Sequence, residues 1–199
     1  MAFPLPAIGL MLQAAASPPS PAADTPIEAV EIHPFSPRIF SCTEHPEGKL
    51  AYIGDALGTD CLIQGGFDEM RRGPGEFLRS YRTSGLTNED WFGWNEPVLA
   101  PFDGIVEKVS VNAITNEPGT LGKPSASMIV FAREDGTRVL YAHLQDISVS
   151  RGARLKAGQK VAKIGNNGMS WSPHIHIGAW RNNKPLQIRW DLRAMGKLR

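Results

Sequence analysis

Three of the five histidines lie in two short segments with the residue pattern of β-strands. His143 belongs to a Tyr-Ala-His-Leu segment, and strand alternation predicts that it shares a face with Val139 and Tyr141. His174 and His176 flank a single isoleucine, so alternation places both imidazoles on one face and the isoleucine on the other. The sequence therefore predicts three imidazoles along one side of a single sheet.

This arrangement suits a catalytic metal site. A neutral imidazole is the commonest zinc ligand, and a catalytic zinc takes three protein ligands and keeps a fourth position for water. The α-carbons of His174 and His176 are about 6–7 Å apart along a strand, so one imidazole can bind metal while the other faces the reacting group. The alternative is that they are ordinary surface residues of a strand.

Composition limits the classes of protein to consider. The chain has 199 residues, 21 Lys and Arg against 20 Asp and Glu, 20 Gly and 16 Pro. The absence of a basic excess argues against a nucleic-acid partner. This length allows one domain, or one domain with an appendage. Glycine and proline without a fixed period favour many short strands joined by turns. No segment has the roughly 18 apolar residues of a membrane span.

Strand signals dominate the second half of the chain. Alternation from Ile105 to Val111 predicts a strand, and Asp-Gly at 135–136 between two strand-like runs predicts a hairpin. Another strand is predicted over His174–Trp180, followed by a turn at 182–185. Residues 27–79 have an irregular pattern with one candidate short helix, Phe67–Met70.

The N-terminal region carries signs of export. Residues 1–26 have an apolar stretch followed by a Pro/Ala/Ser-rich run, which resembles a secretory signal and linker, although a disordered tail is the alternative. Cys42 and Cys61 are the two cysteines; they either form a disulfide, as in an oxidising compartment, or are two separate thiols. We expect an exported protein of the periplasm or cell envelope, and a monomer.

Several segments together resemble a known family. They are Pro97–Val106 (PVLAPFDGIV), Tyr141–Leu144, the glycine ladder from Gly152 to Gly168, and Ser172–His176 (SPHIH), with 31 positions from His143 to His174. In order and spacing they resemble the core domain of the M23 zinc metallopeptidases, the lysostaphin and LytM-like endopeptidases. The resemblance implies a mainly β, antiparallel core domain related to barrel-sandwich hybrids over residues 81–199, with residues 27–80 as an extension packed on it.

The resemblance also implies an activity and roles for individual residues. The activity is hydrolysis of peptide cross-links in bacterial peptidoglycan through a zinc-activated water. His176 would bind Zn²⁺, and His174 and His143 would orient and deprotonate the water. The family's other two ligands form a His-x-x-x-Asp motif, for which Asp90 is the best match to the aspartate.

The first ligand of that motif has no counterpart, because Leu86 stands four positions before Asp90. Shifting the alignment to Glu89 places Gly85 at the histidine position. His33 or His45 could instead supply the ligand from the N-terminal extension.

Two other functions stay open. The chain could be a catalytically inactive domain of the same fold that binds cell wall or regulates another wall hydrolase. It could also be a lipoyl- or biotinyl-like carrier, for which Lys184 would be the modified residue, although the usual flanking residues are missing.

Overall fold

The computed structural model describes residues 26–65 and 79–198. The signal-like segment, apart from Pro26, and the candidate helix Phe67–Met70 lie outside the described residues. Short strands make up almost all of the regular structure, and they are β1 (Ala29–Ile32), β2 (Phe40–Glu44), β3 (Thr59–Ile63), β4 (Pro97–Leu99), β5 (Gly104–Ser110), β6 (Met128–Ala132), β7 (Thr137–Ala142), β8 (Leu144–Gln145), β9 (Arg154–Leu155), β10 (Lys160–Ile164), β11 (Ile175–Arg181), β12 (Lys184–Pro185) and β13 (Gln187–Trp190). A 3₁₀ turn (Asn88–Asp90) and a one-turn helix, α1 (Leu192–Met195), complete the described elements.

The strands form one large sheet and two small ones. The large sheet has the order β2-β3-β11-β7-β6-β5-β9, with β12 paired to the end of β11. The strands β4, β10 and β8 form a second, antiparallel sheet, and β1 pairs in parallel with β13. Apart from that last pair, the described pairings are antiparallel, which confirms the predicted mainly β, antiparallel fold class.

Several local predictions are confirmed. The Asp-Gly turn at 135–136 joins β6 to β7 in an antiparallel hairpin. The strands predicted near 105–111 and 174–180 are β5 and β11. Asn182 and Asn183 have positive φ and form the turn between β11 and β12, as the polar residues there suggest.

Residues 27–79 are more regular than their sequence indicates. The described part contains β1, β2 and β3, and β3 pairs directly with β11, so that β2 and β3 extend the large sheet. These strands are short and partly polar, and β1 and β3 pair with β13 and β11, which lie far along the chain. Local sequence patterns are therefore poor predictors of these three strands.

The core lies between the large sheet and the β4-β10-β8 sheet. Fully buried side chains come from both, including Val98, Tyr141, Ile164, Ile175 and Ile177. Each buried side chain of this size contributes about 1.5–3 kcal/mol. Because Ile175 and Ile177 point into this core, His176 between them points to the other face of the sheet. Among the described residues, no helix is both long enough and apolar enough to cross a membrane.

Candidate active site

Four of the five histidines line one cavity of about 460 Å³ on the face of the large sheet that is opposite the core. Strands β3, β7 and β11 form its floor, and loops on both sides form its walls. The lining residues are His45, Leu50, Tyr52, Asp55, Asp60, Pro124, Ser125, Ala126, Met128, Leu140, Ala142, His143, Met169, His174 and His176. The structure therefore brings together His143, His174 and His176, as the sequence predicts, and adds His45, Asp55 and Asp60 to them.

Backbone pairing in the sheet positions the centre of the cavity. His176 of β11 is in register with Asp60 of β3 on one side and with Ala142 of β7 on the other. The Nδ1 atom of His176 lies 2.9 Å from Oδ1 of Asp60. Two residues separated by 116 positions in sequence thus meet because their strands are neighbours.

The β2–β3 hairpin brings His45 to the same place. Cys42 and Cys61 are directly opposed on these strands and form a disulfide, as the export signs suggest. One further backbone bond, from the amide of His45 to the carbonyl oxygen of Gly58, extends the pairing past the end of β2. His45 Nε2 then lies 3.2 Å from Oδ2 of Asp60.

His45, Asp60 and His176 form a set of metal donors. One ligand atom of each lies within 4.8 Å of the others. Two imidazoles and one carboxylate are a donor set found in catalytic zinc sites, which keep a further position for water. The side chain of Asp60 is 44% exposed, so the cluster is open to solvent on the carboxylate side. By donor chemistry and access, these residues fit a catalytic metal ion.

The charges at this cluster are strongly coupled. Burial opposes ionisation of Asp60, but the neighbouring imidazoles of His174 and His176, the second of them hydrogen-bonded to it, outweigh burial and hold the pKa of this carboxyl below its usual range. Burial also disfavours the charged form of His176, and hydrogen bonds to Asp55 and Asp60 reverse that effect and raise its pKa to about 10. The two carboxylates therefore favour the protonated form of the His176 ring.

His143 reaches the cavity through a backbone kink. Its φ of 63° lies in the left-handed region, which interrupts the alternation between β7 and β8. The expectation that His143 shares a face with Val139 and Tyr141 is wrong, because both of those side chains are in the core. The kink instead turns His143 to the cavity side, with Leu140 and Ala142.

The ring of His143 is held in one orientation. Its Nδ1 donates to the carbonyl oxygen of Asn167 at 2.7 Å, and its own carbonyl accepts from the amide of Gly165. Burial, together with the nearby charge of His174 and His176, lowers the pKa of His143 to about 3. The ring is therefore neutral at pH 7, and Nε2 is the nitrogen with a free lone pair.

His174 is anchored in a similar way. Its Nδ1 lies 2.8 Å from the carbonyl oxygen of Ser172, to which it donates, so Nε2 is the nitrogen that faces Asp60 Oδ1 at 3.7 Å. The rings of His174 and His143 are 4.6 Å apart. Two imidazoles with anchored Nδ1 atoms thus stand beside the metal donors.

Asp90, the aspartate suggested by the sequence as a metal ligand, is not among the cavity-lining residues. Its carboxylate accepts hydrogen bonds from the amide and hydroxyl of Thr83 and from the amide of Gly85, and so closes a local turn. Leu86, at the position expected for histidine, is 73% exposed. The structure does not bring Asp90 to His176, and Asp60 is the aspartate that lies beside His176.

The two alternative ligands that the sequence offered, His45 and His33, lie in different surroundings. His45 is in the metal-donor cluster, whereas His33 bonds to the carbonyl of Pro34 and packs near Gly158. Trp91 donates to the carbonyl of Gly85 and packs against Tyr81, away from the cavity. Of the 115–126 loop, only the last residues, 124–126, line the cavity.

Sequence reasoning missed Asp60. The available signal was a carboxylate placed beside Cys61 in a short run whose other members are apolar or β-branched, TDCLI. An acidic residue in such a run needs a partner when the strand is in a sheet. Its partner was unidentifiable from local pattern, because β3 and β11 are far apart in the chain.

The comparisons with known proteins agree on one family. The model of peptidase family M23 matches residues 91–188. An uncharacterized metalloprotease of Haemophilus influenzae is 40% identical over 96 residues, which is 47% of this chain and 18% of that protein. The peptidoglycan DD-endopeptidase ShyC of Vibrio cholerae is 33% identical over 107 residues, which is 51% of this chain and 22% of that protein. The chain thus spans about a fifth of the length of these relatives.

A solved structure is also similar at low identity. A zinc-containing peptidase from Vibrio cholerae superposes with a TM-score of 0.43 and 18% identity, over 76% of this chain and 38% of the other. The family match covers β4 to β12 and the first half of β13 and includes three of the four cavity histidines, whereas the β2–β3 hairpin lies before it. This chain therefore carries a domain of peptidase family M23.

Proposed function

We propose that this chain is a zinc metalloendopeptidase that hydrolyses peptide cross-links of bacterial peptidoglycan. The observation that carries the proposal is the convergence of a His-His-Asp donor cluster and two anchored imidazoles in one cavity of an M23 domain. The substrate class is supported by the similarity to a relative named a peptidoglycan DD-endopeptidase.

Three side chains would hold the zinc ion: His45, Asp60 and His176. A zinc ion bound there lowers the pKa of water and polarises a carbonyl group of the substrate. Zinc is favoured over magnesium or calcium because two of the three donors are imidazoles, whereas the alkaline-earth ions take oxygen ligands.

The two remaining histidines supply the proton transfers. Neutral His143, with Nδ1 committed to the carbonyl of Asn167, presents Nε2 to take a proton from the attacking water. Water oxygen bonds to the carbonyl carbon of the substrate. As the carbon–nitrogen bond breaks, the proton passes to the leaving amine. His174, 4.6 Å away ring to ring and with Nδ1 committed to the carbonyl of Ser172, presents Nε2 to accept a hydrogen bond from the water and so orients it.

The cavity has apolar surfaces that suit an extended peptide. Leu50, Tyr52, Pro124 and Met169 are among its lining residues. A peptide that lies along them places an internal bond beside the metal donors, as the proposed endopeptidase activity requires.

We further propose that the protein works outside the cytoplasm, in the periplasm or cell envelope. The Cys42–Cys61 disulfide supports this, since disulfides persist mainly in oxidising compartments. The proposed substrate is found in the same place.

The test is digestion of purified peptidoglycan by the zinc-loaded full chain, with products identified by mass spectrometry. We expect cleaved cross-links from the wild type and from His33→Ala, which alters the histidine outside the cavity. We expect none from His174→Ala. A wild type that binds zinc and peptidoglycan but releases no product would contradict the proposal and favour an inactive, wall-binding domain.

A further inference from the structure

Asp55 contacts both imidazoles of the metal-donor cluster, although it is outside the cluster itself. It lies in the β2–β3 connection, in a turn closed by bonds from its own amide to the carbonyl of Tyr52 and from the amide of Gly58 to its carbonyl. The turn therefore fixes its backbone, and both its side chain and its carbonyl reach neighbouring histidines.

The carboxylate of Asp55 acts on His176. Nε2 of His176 lies 3.2 Å from Oδ1 of Asp55 and 3.0 Å from the carbonyl oxygen of Gly54. Both oxygens only accept, so Nε2 carries a hydrogen. When this ring is neutral, its lone pair is consequently on Nδ1, the nitrogen that faces Asp60.

The backbone of Asp55 acts on His45. Nδ1 of His45 lies 2.9 Å from the carbonyl oxygen of Asp55, to which it donates. The lone pair of a neutral His45 is consequently on Nε2, the nitrogen that lies 3.2 Å from Oδ2 of Asp60. One residue thus directs the free nitrogens of two histidines toward the same carboxylate.

We propose that Asp55 is a positioning residue for the metal site: its carboxylate, together with the carbonyl of Gly54, makes His176 offer Nδ1, and its carbonyl makes His45 offer Nε2, to a divalent cation beside Asp60. The inference rests on the proposed function, since it concerns the same site. Partners of this kind orient metal-bound histidines, and their loss typically weakens metal binding by about 10- to 100-fold.

Zinc affinity of the full chain, measured by competition with a chromophoric chelator, tests the proposal. We expect Asp55→Ala to weaken zinc binding by about 10- to 100-fold. We expect a smaller loss for Asp55→Asn, because its amide oxygen can still accept from Nε2. Glu47→Ala is the matched control, since it removes an exposed carboxylate from the same connection. Thermal unfolding of each variant checks that it is folded.

A second measurement distinguishes a loss of histidine positioning from a general disruption of the site. Nitrogen-15 NMR of the imidazole rings in the zinc-loaded protein distinguishes the metal-bound from the protonated nitrogen. Both Asp55 variants keep the backbone carbonyl, so we expect altered signals for His176 and unchanged signals for His45.

Each outcome bears on the proposal. Wild-type affinity in Asp55→Ala, or zinc on Nε2 of His176 in the wild type, would overturn it while leaving the proposed function intact. If Asp55→Ala does not fold, Asp55→Asn decides by the same measurements. A wild type that binds no zinc would overturn both this inference and the metal site of the proposed function.

Discussion

The cavity has two halves that differ in origin and in exposure. The strand half consists of His143, His174 and His176, within the M23 match; the hairpin half consists of His45, Asp55 and Asp60, before it. His143 and His176 are 8% and 6% exposed, whereas the side chains of Asp55 and Asp60 are 41% and 44% exposed. The strand half therefore carries buried imidazoles whose rings are held in one orientation, and the hairpin half carries the exposed carboxylates.

The two halves therefore differ in the chemical roles that we propose for them. The strand half holds the two imidazoles that would move protons, and it is recognisable as M23 from sequence. The hairpin half supplies two of the three metal donors from a segment that the family model does not match. Substitutions in the strand half should therefore affect the rate of hydrolysis, and substitutions in the hairpin half should affect metal binding.

The largest effect is expected for His143→Ala in the strand half. Loss of the proton acceptor should lower the rate of peptidoglycan hydrolysis by about 10²- to 10⁴-fold. Zinc affinity should be unchanged, because His143 contributes no donor to the cluster. Initial rates and a zinc titration on the same preparation measure both quantities. A parallel loss of zinc affinity would contradict the division between the halves.

Asp60→Ala in the hairpin half should act on the metal first. Both histidine donors lie against its two oxygens. The loss of zinc affinity should exceed about 100-fold, the upper cost of losing an outer partner. Asp90→Ala is the matched control, because Asp90 is the aspartate that the sequence suggested and lies outside the cavity. The site assignment fails if Asp90→Ala, and not Asp60→Ala, abolishes zinc binding.

Removing the disulfide should weaken the hairpin half by a smaller amount. The Cys42→Ser/Cys61→Ser double variant opens a loop with a sequence separation of 19. We expect the free energy of unfolding to fall by about 3 kcal/mol, as for loops of this size. Urea unfolding of the variant and the oxidised wild type measures this difference. Equal unfolding midpoints would show that the disulfide does not stabilise the hairpin.

The smallest effect concerns the pH dependence of the metal-free protein. The pKa of His176 is raised from 6.5 to about 10 by Asp55 and Asp60. A raised pKa gives stability that is fully present below pH 6.5 and is lost as the pH rises toward 10. Thermal unfolding of chelator-treated protein should therefore decline across this window. His176→Gln should show a flatter profile, and identical profiles would contradict the pairing between the two halves.

The sequence was most informative where the deciding contacts are local. Asp135 and Gly136 identify a hairpin because the turn needs only its own residues. The His-x-His pair follows from alternation in one strand. The error for His143 has a local cause as well, since a single residue with positive φ reversed the side to which its ring points.

The rest of the site depends on contacts between distant segments. Asp60 and His176 are 116 residues apart and meet only because β3 pairs with β11. Nothing in the run TDCLI identifies that partner strand. The resemblance to the M23 family suggested Asp90, because the family's aspartate lies shortly before the strand that begins here at Pro97. The oxygens of Asp90 instead accept hydrogen bonds from its neighbours Thr83 and Gly85.

Gly178, in β11, is the strand position against which the backbone of Gly54 packs. A β-carbon at Gly178 would collide with the carbonyl oxygen of Gly54, so the turn that carries Asp55 can lie against β11 only because residue 178 has no side chain. Transplanting the hairpin onto another domain would therefore require a glycine at the matching strand position. A graft that copied only the liganding residues would hold the carboxylates away from the imidazoles.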